Sequence, residues 1–316
     1  MTAAVLDTLV HYVSDETSPA DVVEAIDRAV ASSTPVIGVW HTDLLAEMGP
    51  VYTAMARASG RVPQISVLAG ASAPEAVALT DLVVSAGALS GLAHVMALDL
   101  SDALRRAGRL AALLARPGSA SSVCGYSDLA SLLPAGAHRA YDVGPLVRAL
   151  LDPGTFEELH SFWAPNIVTG LGRLGGGAVG VIANNPLRSR GRLDPCGAEK
   201  AARLVRMCDT FGLPLLVLVD VPGSLPGVEE SWASMLRQST VLLRAFAQAS
   251  VPRVALVTRK AYHGAYSTVN ACSLGVTAVC AWPGAADPSV ASVVSPEATR
   301  TELARLLSGP QWMVAL

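Results

Sequence analysis

Pro252-Arg253-Val254-Ala255-Leu256-Val257-Thr258 runs directly into Arg259-Lys260-Ala261-Tyr262-His263-Gly264-Ala265-Tyr266. The first seven residues are rich in β-branched and aliphatic side chains and read as a buried strand. The run breaks at small residues, and Tyr266 to about Leu274 reads as a helix. Such a strand-to-helix junction leaves several N–H groups without intrahelical partners, at the positive end of the helix dipole. Gly264 and Ala265 carry almost no side chain, so an anionic oxygen can approach those donors closely, as in an oxyanion hole. A plain strand–helix connection, with glycine for tight packing, fits the octapeptide equally well.

The surrounding segments narrow the choice. Upstream lie Ala164-Pro165-Asn166-Ile167-Val168-Thr169-Gly170-Leu171-Gly172-Arg173-Leu174 and Val179-Gly180-Val181-Ile182-Ala183-Asn184-Asn185-Pro186. Glu199-Lys200-Ala201-Ala202-Arg203-Leu204-Val205-Arg206, Val219-Asp220-Val221-Pro222-Gly223-Ser224-Leu225-Pro226-Gly227 and Ala281-Trp282-Pro283 follow. In this order and spacing they resemble the C-terminal half of the carboxyltransferase (β) subunit of biotin-dependent acyl-CoA carboxylases, of the propionyl-CoA and acetyl-CoA type. The resemblance is nearly continuous from about Ala140 to Pro283. It implies an α/β, crotonase-like fold of repeated β-β-α turns, with one reduced N-terminal and one near-complete C-terminal domain. It further implies that the backbone N–H groups of Gly264 and Ala265 polarise the carbonyl of carboxybiotin.

Composition fits a globular α/β enzyme. Of 316 residues, 51% are hydrophobic, enough for one large core or two smaller ones. Only 16% are charged, which suggests surface covered by another subunit. A net charge of −3 without a basic run argues against nucleic acid. Cys124, Cys196, Cys208, Cys272 and Cys280 show neither C-x-x-C nor Cys/His ligand spacing, which argues against disulfides and structural zinc. Met1 to Asp7 lacks a basic region followed by an apolar core, and the apolar run Leu213–Val219 is too short to cross a bilayer. A cytoplasmic protein without a metal is the expectation.

The chain divides in two. In the first part, helix-like segments (Ala20 to Ala31, Glu47 to Ser59, Ser101 to Leu114) alternate with apolar runs at Pro35–Trp40, Gln64–Ala69 and Asp81–Ala86. Such alternation predicts parallel or mixed strands with helical crossovers. Turn residues from Pro117 to Ser122, continuing to Pro134-Ala135-Gly136, mark a linker. The domains are therefore expected at 1–135 and 136–316. The second part begins with a helix from Tyr141 to Leu151, then strands at Val179–Ala183, Leu215–Asp220 and Arg253–Thr258. Helices are expected at Ala198–Phe211 and Trp232–Ala249.

The first part resembles the family more faintly. Pro35-Val36-Ile37-Gly38, Val62-Pro63-Gln64-Ile65-Ser66 and Leu79-Thr80-Asp81 match its N-terminal domain. There the family carries a Ser-Gly-Gly-Ala-Arg segment whose glycine N–H groups hold the acyl-CoA enolate. Here the stretch reads His41-Thr42-Asp43-Leu44-Leu45-Ala46-Glu47, without glycine. A second family Gly-Gly is replaced by Ala71-Ser72-Ala73-Pro74-Glu75, where Pro74 removes a donor. This hole reads as dismantled. The resemblance also implies a later start than a full-length subunit and an internal deletion after Pro283.

In the second hole, His263 replaces a family glycine and Ser267 a family aspartate tied to acyl size. His263 is a candidate general acid or base, or it bonds a carbonyl or solvent. Tyr262 and Tyr266 serve as packing residues or proton donors, and Ser267 as helix N-cap or, less readily, nucleophile. Arg237 meets a substrate carboxylate or forms a surface ion pair. Pro222 and Gly223 shape the turn after Asp220, which caps that turn or partners His263. His41 is structural or a donor.

Two function classes stay open. One is a carboxyltransferase-like enzyme acting on an acyl thioester or carboxylated acyl chain by carboxyl transfer, decarboxylation or a repurposed acyl reaction. The other is a non-catalytic or complementing subunit or scaffold of a carboxylase-like complex. No covalently bound cofactor is expected; carboxybiotin and a CoA or acyl-carrier thioester are the candidate substrates. The implied partners are a second copy in a homodimer or higher homo-oligomer and a carboxylase-like subunit, with neither nucleic acid nor membrane.

Overall fold

The computed structural model describes residues 8–14, 16–41, 48–70, 75–86, 93–118, 123, 128–136, 139–221, 232–261, 275–285 and 292–308. The side chains of 75–76, 232–239 and 260–261 are outside that description. The chain forms two compact units, Met1–Arg116 and Pro117–Leu316.

In the first unit the elements run β1 (Leu9–Val13), α1 (Pro19–Ser32), β2 (Val36–Trp40), α2 (Gly49–Ala58), β3 (Gln64–Leu68), β4 (Leu82–Ala86), β5 (Val95–Ala97) and α3 (Leu100–Ala115). The sheet follows chain order, β1-β2-β3-β4-β5, and every described pair is parallel. Strands β2 and β3 are buried at all five positions, as expected for parallel strands covered on both faces. α1 starts at a capping box, with the Ser18 hydroxyl accepting from Asp21 N–H and the Asp21 carboxylate accepting from Ser18 N–H. Val22 and Ile26 of α1 join Val51, Ala54 and Met55 of α2 in one core.

The second unit contains α4 (Gly144–Leu150), β6 (Glu157–Leu159), β7 (Ile167–Leu174), β8 (Gly177–Asn184), α5 (Pro195–Thr210), β9 (Leu215–Val221), α6 (Trp232–Gln248), β10 (Arg253–Ala261), β11 (Ala278–Ala281), β12 (Ser292–Val293) and α7 (Thr299–Leu307). Its sheet runs β12-β11-β10-β9-β8-β7-β6. β6 to β8 pair antiparallel and β8 to β12 parallel. The β7–β8 hairpin turns on Gly175 and Gly176, at φ 59° and 85°, which two successive non-glycine residues rarely adopt. Both N–H groups donate to the Asp152 carboxylate (3.0 and 2.8 Å), which also receives Arg300 at 3.0 Å.

Most expected elements are found within a residue or two of their expected limits. The helix expected from Tyr141 to Leu151 begins only at Gly144. Pro145 fits the first turn, and Asp142 Oδ1 accepts from Gly144 N–H just ahead of it. The division falls at Arg116/Pro117 rather than after residue 135, because the turn-rich stretch belongs to the second unit. Leu129 lies in that unit's core, Val123 and Leu133 pack on it, and Ala178 N–H donates to Pro117 O. The helix expected from Tyr266 lies outside the described residues.

α5 lies so close to β8 that a Cβ on Gly180 would strike Cys208 Sγ, with Leu215 Cδ2 at 3.1 Å. Gly180→Val should therefore cost about 1–3 kcal/mol through overpacking. Urea denaturation should show a lower midpoint at unchanged slope, and an unchanged midpoint would refute this packing.

Candidate functional site at the carboxyl edge of the second sheet

Strands β8, β9 and β10 run parallel and end on one edge of the sheet, at Asn184, Val221 and Ala261. Crevices outside the carboxyl ends of parallel strands are where open α/β sheets take ligands. Pairing of β9 with β10 is regular up to Val219 opposite Val257, and then resumes at Val221 opposite Ala261. Four residues of β10 thus span the length of two in β9, a bulge of the kind found beside active sites.

Arg259 sits in that bulge. Its Nε donates to Asp220 Oδ2 at 2.8 Å, and Nη2 donates to Arg139 O at 3.2 Å. The guanidinium lies 4.5 Å from the Tyr141 ring centroid. Asp220 is buried and the Arg259 side chain nearly so, which makes this a desolvated ion pair. Burial, and then the Asp220 carboxylate, hold the Tyr141 phenol above its ordinary value, so it stays protonated. The Tyr141 hydroxyl interacts with Thr258 and Asp220, whereas Asn184 Oδ1 is buried without a hydrogen-bond partner among the described residues. An acceptor is therefore unspent close to this edge.

The loop after β8 closes on the same place. Asn184 Nδ2 donates to Gly191 O at 2.7 Å, and Asn185 Nδ2 donates to Asp142 Oδ1 at 3.2 Å. Gly191 is at φ 71°, and a Cβ there would lie 3.2 Å from both Asp220 O and Asn184 Cβ. Elsewhere in this unit, Lys200 of α5 is buried and donates from Nζ to Trp163 O (2.8 Å) and Ala164 O (3.4 Å). Burial lowers the Lys200 ammonium to about 8, against an upward pull from Glu158. Burial, with Lys200 and Arg203, lowers His160 to about 4, so it is neutral.

Of the residues singled out from sequence, Tyr262, His263, Gly264, Ala265, Tyr266, Ser267, Pro222 and Gly223 lie outside the described residues. In sequence, Pro222 follows β9 and Tyr262 follows β10. Arg237 lies on α6, its side chain outside the description. Asp220, read as a turn cap or a His263 partner, is instead paired with Arg259. His41 follows β2, exposed, with its ring stacked on Tyr12 at 6.2 Å. Sequence reasoning gave no role to Arg259, Tyr141 or Asn184, although Arg259 stood inside the decisive octapeptide.

Asp220→Ala should cost about 3–5 kcal/mol, because it strands a buried guanidinium. A loss under about 1 kcal/mol by denaturation would show that Arg259 finds water. Lys200 gives a pH test. Unfolded, it keeps its proton to about 10.5; folded, only to about 8. Between those limits the unfolded chain binds more protons, so stability rises with pH across the window. Wild-type minus Lys200→Met unfolding free energy should increase from about pH 8 to 10.5, and a flat difference would refute burial of the amine.

The carboxyl transferase domain model matches residues 83–299. The biotin-dependent acetyl-/propionyl-coenzyme A carboxylase beta6 subunit of Mycobacterium tuberculosis is 44% identical, covering 84% of this chain and 66% of its own. The propionyl-CoA carboxylase beta chain of Rhodococcus erythropolis is 45% identical, covering 83% and 65%. The chain thus spans slightly under two thirds of these relatives. Among solved structures, transcarboxylase 12S superposes with a TM-score of 0.79 at 28% identity, covering 92% of this chain and 74% of its own. A single-chain, multi-domain long-chain acyl-CoA carboxylase shares the fold, with a TM-score of 0.74 at 20% identity, covering 91% of this chain and 37% of its own. The α/β architecture is that of the crotonase-like carboxyltransferases, and the chain belongs to the carboxyl transferase domain family.

Proposed function

We propose that this chain is a carboxyltransferase component acting on an acyl thioester, with its chemistry at the carboxyl edge of the second unit. The observation that carries the reading is the buried Asp220–Arg259 pair at the carboxyl ends of β9 and β10, in a chain of this family. The carboxyl group would arrive on biotin, a substrate here rather than a resident group. The chain's own part is to offer the N–H groups of Gly264 and Ala265 to the oxygen on which charge develops. His263 would exchange a proton there. The 44–45% identity to biotin-dependent and propionyl-CoA carboxylase β chains supports CoA or carrier thioesters as the acceptor class. Assembly as a homodimer or higher symmetric oligomer is part of this proposal, and the hexamer assembly of transcarboxylase 12S supports it.

A complementing subunit is the second reading, and one feature favours it. The stretch His41 to Glu47 has no glycine where the resemblance expects an enolate-binding segment. On that reading the first unit binds acyl-CoA weakly, and another chain supplies the acyl site. No described helix is long and apolar enough to cross a membrane, consistent with either reading.

The deciding variants are Gly264→Val and His263→Ala, assayed for carboxyl transfer and for decarboxylation with circular dichroism as the folding control. Loss of one oxyanion donor costs about 3 kcal/mol, roughly a hundredfold or more in rate. His263→Ala should cost a further factor of about 10² if the imidazole moves a proton. Full activity in both folded variants would overturn the enzyme reading. Tight calorimetric binding of propionyl-CoA to the wild type would overturn the complementing one.

A further inference from the structure

We propose that a hollow in the first unit, between α1, α2 and the sheet, binds a small uncharged molecule carrying a hydroxyl group on a short aliphatic body. The inference is independent of the proposed function. The hollow lies wholly within the first unit and shares no residue with the edge formed by β8 to β10.

The residues that open the hollow depart from the pattern of their strands. β1, β2 and β3 are parallel, and their register sets His11, Gly38 and Ser66 in one row across them. The core beside this row is built from side chains such as Val13, Ile26, Met55 and Val83, so aliphatic residues are expected in the row as well. Gly38 supplies no side chain at all. Trp40 Nε1 and His11 Nε2 lie 3.1 and 3.3 Å from where its Cβ would stand. The resulting space measures about 260 Å³, its mouth included. At roughly 30 Å³ per water-sized group, it admits a molecule of fewer than about nine such groups. Local departures of this kind concentrate at functional sites.

The polar atoms of the hollow suit a hydroxyl group. His11 Nδ1 is buried without a hydrogen-bond partner among the described residues. Ser66 Oγ accepts from Trp40 Nε1 at 3.0 Å, which leaves the Ser66 proton to be donated. A hydroxyl donates to a bare ring nitrogen and accepts from a protonated one, so it meets Nδ1 in either tautomer. Val22, Ile26 and Met55 line the same space and offer an apolar wall, which an aliphatic body covers and a water molecule does not. Charge is disfavoured. None of the described lining residues is an acid, a lysine or an arginine, and burial, then Arg28, lower the His11 imidazole to about 4, so it is neutral. An ion placed there would be desolvated without a partner.

1-Butanol is the probe, titrated into the full-length chain and followed by saturation-transfer NMR of its methyl protons. The signal should saturate with a Kd on the order of 1–10 mM, as a ligand of this size allows. Butyrate and butylammonium, of the same chain length, should bind about tenfold more weakly or worse. Gly38→Ala sets a methyl group into the hollow and should weaken 1-butanol binding about tenfold. His11→Leu should do likewise, and should also raise the urea midpoint, because it removes an unmet buried polar atom. If Gly38→Ala does not fold, His11→Leu decides alone. Val10→Ala, at an exposed position of the same strand, should leave binding unchanged. The proposal is overturned if 1-butanol gives no saturable signal, or if folded His11→Leu binds it as the wild type does. Butyrate bound as tightly as 1-butanol would overturn the uncharged class of ligand. A lowered urea midpoint with binding intact in His11→Leu would assign His11 to the fold alone.

Discussion

The ion pair between Arg259 and Asp220 is the contact on which the carboxyl edge of the second unit depends. A carboxylate and a guanidinium removed from water each lose several kcal/mol of hydration, and close pairing recovers this only if the remaining donors are also met. Arg259 meets them: Nε on Asp220, Nη2 on Arg139 O, the guanidinium face on Tyr141. The pair therefore ties together β9, β10, Gly136, Arg139 and Tyr141. The β10 bulge accompanies it, since regular pairing would carry β10 past Asp220 in two residues rather than four. Geometry at the end of β10 follows the electrostatics of Arg259.

The same logic explains why the loop after β8 is strained. Asn184 Nδ2 is satisfied only if Gly191 O comes within 2.7 Å, and that approach places Gly191 against Asp220 O. The chain must leave Asn184 and return to it within a few residues, and the left-handed conformations at Ser189, Arg190 and Gly191 achieve the reversal. Glycine solves one of these positions without strain, and buried amides stabilise the other two. Exposed arginines on such a loop are displayed rather than packed.

Much of this fold was legible in the sequence because parallel strands are buried on both faces. Runs such as Leu215–Val219 and Val254–Val257 carry no alternation to confuse with a surface strand. β1 escaped for the opposite reason: Leu-Val-His-Tyr-Val at an edge alternates exposure, with Tyr12 55% exposed, and holds little apolar signal. The helix start at Gly144 was missed because Tyr141 and Val143 are apolar in a helix-like spacing, whereas Asp142 and Pro145 decide the cap. The family was legible from long motifs. The site was legible only in part, because Arg259, Asp220 and Tyr141 are far apart in the chain, and no periodicity announces that they meet.

The two units end their described strands differently. At the ends of β2 and β3 in the first unit, His41 N–H is spent on Val13 O and Ala69 N–H on Trp40 O. The His41 ring stacks on Tyr12. Sheet pairing there consumes donors, and the neighbouring sequence from Thr42 to Glu47 offers no glycine to present new ones. At the ends of β8 to β10 in the second unit, a buried ion pair lies at a bulge, and Asn184 Oδ1 has no partner among the described residues. Buried polar groups left without partners destabilise a fold unless something else compensates. Among the described residues the second edge retains such a group, whereas the backbone donors at the ends of β2 and β3 are spent within the sheet.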